Sequence, residues 1–236
     1  MTKYPPLRNT KLRFNAKKHT YRIGRKKLQS VTEWIKSFNP PFKPFDEQAQ
    51  AQRLSETNNE QSPYYKKTPK QILRMWKKNA DKGTCVHKQI EDYIAFGQVP
   101  TEPLAQIALP VIETLLSPTD RPYTELKICS DEIGLAGTID LLIEHEDGTI
   151  SLVDWKTNKT LYGTEPTEKT PYKQLTDTNV TKYCLQLSTY AFIMEMFYKR
   201  TIRALYLIHL HPQAKVERKI PYLRTTVTDM IVERAK

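Results

Sequence analysis

Near residue 123 the hydrophobic period of this chain changes, and no other feature constrains its fold so strongly. Before that point apolar residues recur at helical spacing: Ile72, Leu73, Trp76 and Ala80, then Val86, Ile90, Tyr93 and Ile94, then Leu104, Ile107, Ala108, Val111, Ile112 and Leu115. After it come three β-rich runs, Glu125 to Cys129, Gly134 to Ile143 and Ile150 to Lys156. The last two are joined across Glu146-Asp147-Gly148, a hairpin turn signal. An apolar helix then spans roughly 181–198, Ile202 to Leu210 reads as a buried strand with Lys215 to Ile220 beside it, and a short helix follows. Helix, three strands, helix, strand is the order of an α+β (mixed α/β) domain, a central mixed sheet flanked by helices, here with an N-terminal helical elaboration.

Local signals refine this order. Tyr21 to Leu28 reads as a hairpin turning at Gly24, and Ser30 with Glu33 forms a capping box that starts a helix through Phe38. Gly83 is expected to kink or break the helical stretch around it, so that a new helix starts near Thr84. Residues 161–178 form a polar loop with two prolines, longer than a simple connection needs. A chain of 236 residues fits one elaborated domain. Residues 1–18 are expected to be a flexible basic arm, and 19–236 a single domain divided into a hairpin and helical part (19–116) and a sheet part (117–236).

Lys and Arg number 37 against 26 Asp and Glu, an excess that points to a polyanionic partner. Ten of those cations lie in residues 1–27, which hold no acid, leaving 27 against 26 elsewhere. Lys17, Lys18, Arg25, Lys26 and Lys27, with Lys182 farther on, are the candidate phosphate contacts. Three scattered cysteines are too few for a disulfide framework, a zinc site or a four-thiolate iron–sulfur cluster. The sequence has no apolar run of membrane-spanning length and no clear amphipathic basic helix, so no membrane partner is expected.

Chemistry gathers at Asp154-Trp155-Lys156. Alternation along a strand turns Asp154 and Lys156 to one face and Trp155 to the opposite, packed one. Asp140 lies in the preceding strand, and the hairpin can bring it alongside Asp154. Two such carboxylates repel unless a cation lies between them, and oxygen-rich sites of this kind suit Mg²⁺ or Mn²⁺. Lys156 could orient a water or stabilise negative charge developing on phosphorus oxygens. His87 and Glu91, one turn apart, share a helix face, as do Gln186 and Tyr190 on the later apolar helix. Taken singly, each of these is more often a surface ion pair, a solvated helix face or a satisfied core residue. Their order and separation make the case together.

That run resembles the RecB-like exonuclease branch of the PD-(D/E)XK nuclease superfamily. Gly83-Thr84-Cys85-Val86-His87 with Glu91 resembles the first motif, Gly137-Thr138-Ile139-Asp140 the second, Asp154-Trp155-Lys156-Thr157 the third, and Gln186-Leu187-Ser188-Thr189-Tyr190 the Q-x-x-x-Y motif. Tyr21 through Ser30-Val31-Thr32 resembles the leader of phage-type and mitochondrial genome maintenance exonucleases. The resemblance implies a restriction-endonuclease-like core, metal bound by His87, Asp140, Asp154 and the Trp155 carbonyl, and Asp140, Asp154 and Lys156 as the catalytic residues, with Glu91, Glu125, Gln186 and Tyr190 supporting them. It implies a magnesium or manganese cofactor without an iron–sulfur cluster, and an exonuclease acting on single-stranded or free-ended DNA. A helicase, recombinase or single-strand-binding protein would supply unwinding. A structure-specific or nonspecific endonuclease, or an inactive fold kept for nucleic-acid binding, are the alternatives.

Overall fold

The computed structural model describes residues 6–16, 18–38, 46–158, 179–212 and 214–234. Near the N-terminus, β1 (Leu12–Asn15) pairs antiparallel with β2 (Thr20–Ile23), and β2 with β3 (Lys26–Ser30), with Gly24 in the left-handed conformation at the turn between β2 and β3. Ser30 then caps α1 (Val31–Ser37), its hydroxyl accepting from the Glu33 amide at 3.2 Å. Strand β1 falls inside the stretch read as a flexible arm. It is held there by its ladder to β2, and by Leu7, which is buried in the main core.

Asp46 caps α2 (Glu47–Ser55), a helix the hydrophobic pattern did not reveal because only Ala51 is buried. The long α3 (Pro69–Phe96) begins at a full Thr68/Gln71 capping box and ends at Gly97 in the left-handed conformation. It is unbroken, which corrects the expected interruption at Gly83. A β-carbon at Gly83 would lie 3.0 Å from Thr157 Oγ1, so this glycine serves a close approach to the sheet and not a kink. Helix α4 (Pro103–Leu115) packs beside α3.

The sheet core follows as read: β4 (Arg121–Ser130), β5 (Leu135–Glu144) and β6 (Ile150–Lys156) form an antiparallel meander. Helix α5 (Asn179–Tyr198) then carries the chain back to β7 (Ile202–His211), parallel to β6, and β8 (Ala214–Ile220) pairs antiparallel with β7 before α6 (Arg224–Arg234). The eight strands make one mixed sheet. Helices α1, α5 and α6 cover one face around Trp34, Leu187 and Met230, and α3 and α4 cover the other around Ile90, Trp155 and Ile208.

Strand β5 is the organising element. One of its edges is taken by β4 from Leu135 to Glu144, with a gap at Asp140; the other is shared, β3 pairing with Leu135 and Ala136 and β6 with Leu141 to Glu144. Between these partners, residues 137–140 face a fork where β3 and β6 part. The side-chain alternation also slips there: Leu135, Ile139 and Leu142 face the α1/α5 layer, whereas Leu141 and Ile143 face the α3/α4 layer. Beside it in β4, Glu125 adopts a left-handed φ of 47°, unusual for a side chain of its size.

Candidate active site

The fork is where the predicted residues meet. Asp140 Oδ2 accepts a 2.9 Å hydrogen bond from the Trp155 amide, which has left the β5 ladder, and lies 3.5 Å from His87 Nδ1 on α3. Glu125 completes a group of three: His87, Glu125 and Asp140 each present one ligand atom, all within 4.8 Å of one another. The left-handed turn at Glu125 is the local cause, because it lies beside Asp140 where both strands slip in alternation; Lys127 fixes it by donating to the Glu125 carbonyl at 3.2 Å.

Asp154 and Lys156 share the α5 side of β6, and Trp155 is buried in the α3/α4 layer, as strand alternation requires. Asp154 Oδ2 meets Lys156 Nζ at 2.6 Å, a close ion contact by distance, though Oδ2 has no well-directed hydrogen bond. Gln186 Nε2 donates to Asp154 Oδ1 at 3.4 Å and to Tyr190 Oη at 3.3 Å. Tyr190 in turn lies against Gly137, where an added β-carbon would be 2.4 Å from its ring. The glycine of the second motif is therefore the seat of the tyrosine of the fourth. Glu91 is not one of the three and is ion-paired with Lys88 at 2.9 Å.

Burial pushes the Asp154 carboxyl up to about 6, with Asp140 adding to the rise and Lys156 opposing it. Glu125 is likewise raised, by burial first and then by Asp140. Burial works against the Lys156 ammonium, but Asp154 and Asp140 outweigh it and hold its pKa above the usual lysine value. The two carboxylates therefore favour the ammonium form of Lys156. Such crowding of carboxylates around one ammonium leaves surplus negative charge, and the residues fit a hard divalent cation with oxygen and imidazole donors.

Three contacts were not foreseen. Tyr183 lies 4.4 Å from the Lys156 ammonium, ring face to cation, and its spacing with Gln186 and Tyr190 on α5 was the available signal. Tyr21 Oη meets Thr138 Oγ1 at 2.9 Å, tying the N-terminal hairpin to the fork. Gly137 is the third. Of the proposed phosphate contacts, Lys18, Arg25 and Lys27 are exposed and Lys182 lies at the start of α5, but Lys26 is engaged by Asp131 at 2.6 Å; Lys17 lies outside the described residues, as does the 161–178 loop.

Comparison with known sequences decides the family. The sequence model of the PD-(D/E)XK nuclease superfamily matches residues 49–234. The chain belongs to this superfamily. Its mixed sheet and flanking helices form the restriction-endonuclease-like arrangement of PD-(D/E)XK nucleases, and the chemistry of the family is metal-dependent cleavage of nucleic acid. No curated protein matches. Among solved structures, the chain is similar to one titled "Crystal structure of SSO0001", at 13% identity and a TM-score of 0.39, covering 88% of this chain and 74% of that one. Among the described residues of this PD-(D/E)XK protein, no helix is long and apolar enough to cross a membrane.

Proposed function

We propose that the protein hydrolyses phosphodiester bonds of DNA from an end, favouring single-stranded or frayed DNA, with Mg²⁺ or Mn²⁺ as cofactor. The observation that carries the chemistry is the convergence of His87, Glu125 and Asp140 beside the buried Asp154–Lys156 pair. His87, Asp140, Asp154 and the Trp155 carbonyl would hold the ion, with Glu125 at its side. When bound, the ion supplies charge neutralisation at the phosphate and a more acidic water.

Every other task falls to side chains. As water attacks phosphorus, a P–O bond forms, the ester P–O bond breaks, the water loses a proton and the leaving oxygen gains one. Asp154 and Asp140 favour the charged form of Lys156. That ammonium stabilises the negative charge that grows on the phosphate oxygens and can donate toward them. Asp154, Tyr183 and Gln186 hold that ammonium and its carboxylate in place. A recombinase, helicase or single-strand-binding protein would present the free strand.

Purified protein with labelled linear and circular single strands, in Mg²⁺ and in Mn²⁺, tests this reading. Linear strands should disappear while circles persist, and Asp154→Asn should cut neither. Nicking of circles at the same rate would overturn the end preference, and absence of all cleavage by folded, DNA-bound wild-type protein would overturn the activity.

A further inference from the structure

A pocket of about 340 Å³ opens beside the three-residue group, sharing Glu125 with it. Its walls come from β4 (Thr124, Leu126, Lys127) and from the N-terminal segment (Arg8, Leu12), a volume at the small end of ligand-sized cavities. The segment is fastened on both sides of Arg8: Leu7 is buried in the main core, and Asn9 donates to Cys129 Sγ at 3.3 Å. Arg8 is thereby presented outward at the pocket, exposed and with no acidic partner among the described residues.

Within this lining of mixed charge, Arg8 is the group that fits an anion. Two carboxylates border the pocket, but Glu91 is paired with Lys88 and Glu125 belongs to the cation group. That leaves Arg8 as the available cation, with the Lys127 ammonium held nearby on the Glu125 carbonyl, over a wall in which Leu12 and Leu126 alternate with the polar Asn9 and Thr124. Arginine offers a planar fork suited to phosphate oxygens, and the leucines offer a surface for a sugar or base. Resting on the nuclease reading above, we propose that this pocket is a nucleotide subsite: it takes the phosphate-bearing nucleotide next to the bond being cut, Arg8 gripping the phosphate. A terminal and an internal phosphate share that chemistry.

The test is binding without metal, so that hydrolysis plays no part. Labelled single strands ending in 5′-phosphate, in 3′-phosphate or in hydroxyls only, and a circular strand, are titrated in EDTA against wild type, Arg8→Ala and Arg8→Lys, with thermal melting as the folding check. Arg8→Ala should weaken binding about tenfold, the loss of one charge-assisted contact, and Arg8→Lys should recover part of it. Loss confined to one phosphate-ended strand assigns a terminal phosphate; equal loss on circles assigns an internal one. If Arg8→Ala binds every strand within twofold of wild type, the subsite proposal is overturned. Cleavage assays in metal separate the two readings: wild type that binds but never cuts sinks the nuclease reading alone, whereas normal cutting with an indifferent Arg8→Ala sinks the subsite alone.

Discussion

At one end of the β5–β6 pair, His145 sits between Asp120 Oδ1 at 3.0 Å and Ser151 Oγ at 2.8 Å. At the other end, His87 faces Asp140 at 3.5 Å in a group that also holds Glu125. The residue types are nearly the same, yet the first network is closed. Both nitrogens of His145 are used, and although burial works against the Asp120 carboxylate, hydrogen bonds from Ser117 and His145 hold its pKa below the usual range. It resembles a Ser-His-Asp triad in its spacing, but Ser151 is 2% exposed, so no substrate reaches it. The second network is open, its His87 and Asp140 side chains 26% and 15% exposed, with two carboxyls raised instead of lowered. A complete polar network fastens a hairpin; an incomplete one is ready for a cation.

Four changes would break or sharpen this contrast. The largest effect belongs to the open end: Lys156→Ala should slow cleavage about a hundred- to a thousandfold while single-strand binding in EDTA persists, checked by gel assay and anisotropy. At the closed end the consequence should be the reverse. Ser151→Ala should cost about 1–3 kcal/mol in urea unfolding by stripping a buried partner from His145, with cleavage per folded molecule unchanged.

The third change concerns pH. The Asp154 and Glu125 carboxyls are raised on folding, so the folded state binds protons more tightly. Metal-free stability from these groups is present below the unfolded carboxyl range and falls as pH rises through about 6, the Asp154 value. Glu125→Gln should therefore raise the metal-free melting temperature at pH 7.5, by about 2–4 °C for each kcal/mol recovered. For the same reason, the melting-point gain from added Mn²⁺ in wild type should be larger at pH 7.5 than at pH 5.5, because protons compete with the ion. Asp120 runs the other way, its contribution being lost only as pH falls through its lowered pKa. The smallest effect is Gly83→Ala. Helix propensity favours alanine by about 1 kcal/mol, and the 3.0 Å approach to Thr157 Oγ1 opposes it, so unfolding should move little.

Much of the contrast was legible in the sequence. Period-2 alternation assigned the faces of Asp154, Trp155 and Lys156 correctly, and the Glu146-Asp147-Gly148 turn placed Asp140 near them. Helical spacing put His87 and Glu91 on one helix face, while Gly83 read as a kink, since the sequence along one helix does not show what packs across from it. Helix α2 escaped because a helix with a single buried alanine has no apolar stripe to read. The resemblance implies only a supporting role for Glu125; its place in the three-residue group is not legible, because that place depends on a backbone conformation that periodicity assumes away. The His145 network was missed for a similar reason: its members are 25 and 6 residues apart and meet only when the meander folds.

The left-handed backbone at Glu125 has a consequence for how this protein can change. A non-glycine residue there costs about 1 kcal/mol or more, and the half-buried carboxylate adds its own penalty. Asparagine or glycine at residue 125 would relieve both. Laboratory selection for heat resistance alone should therefore discard this side chain early, yielding variants that outlast the parent on heating and cut DNA poorly.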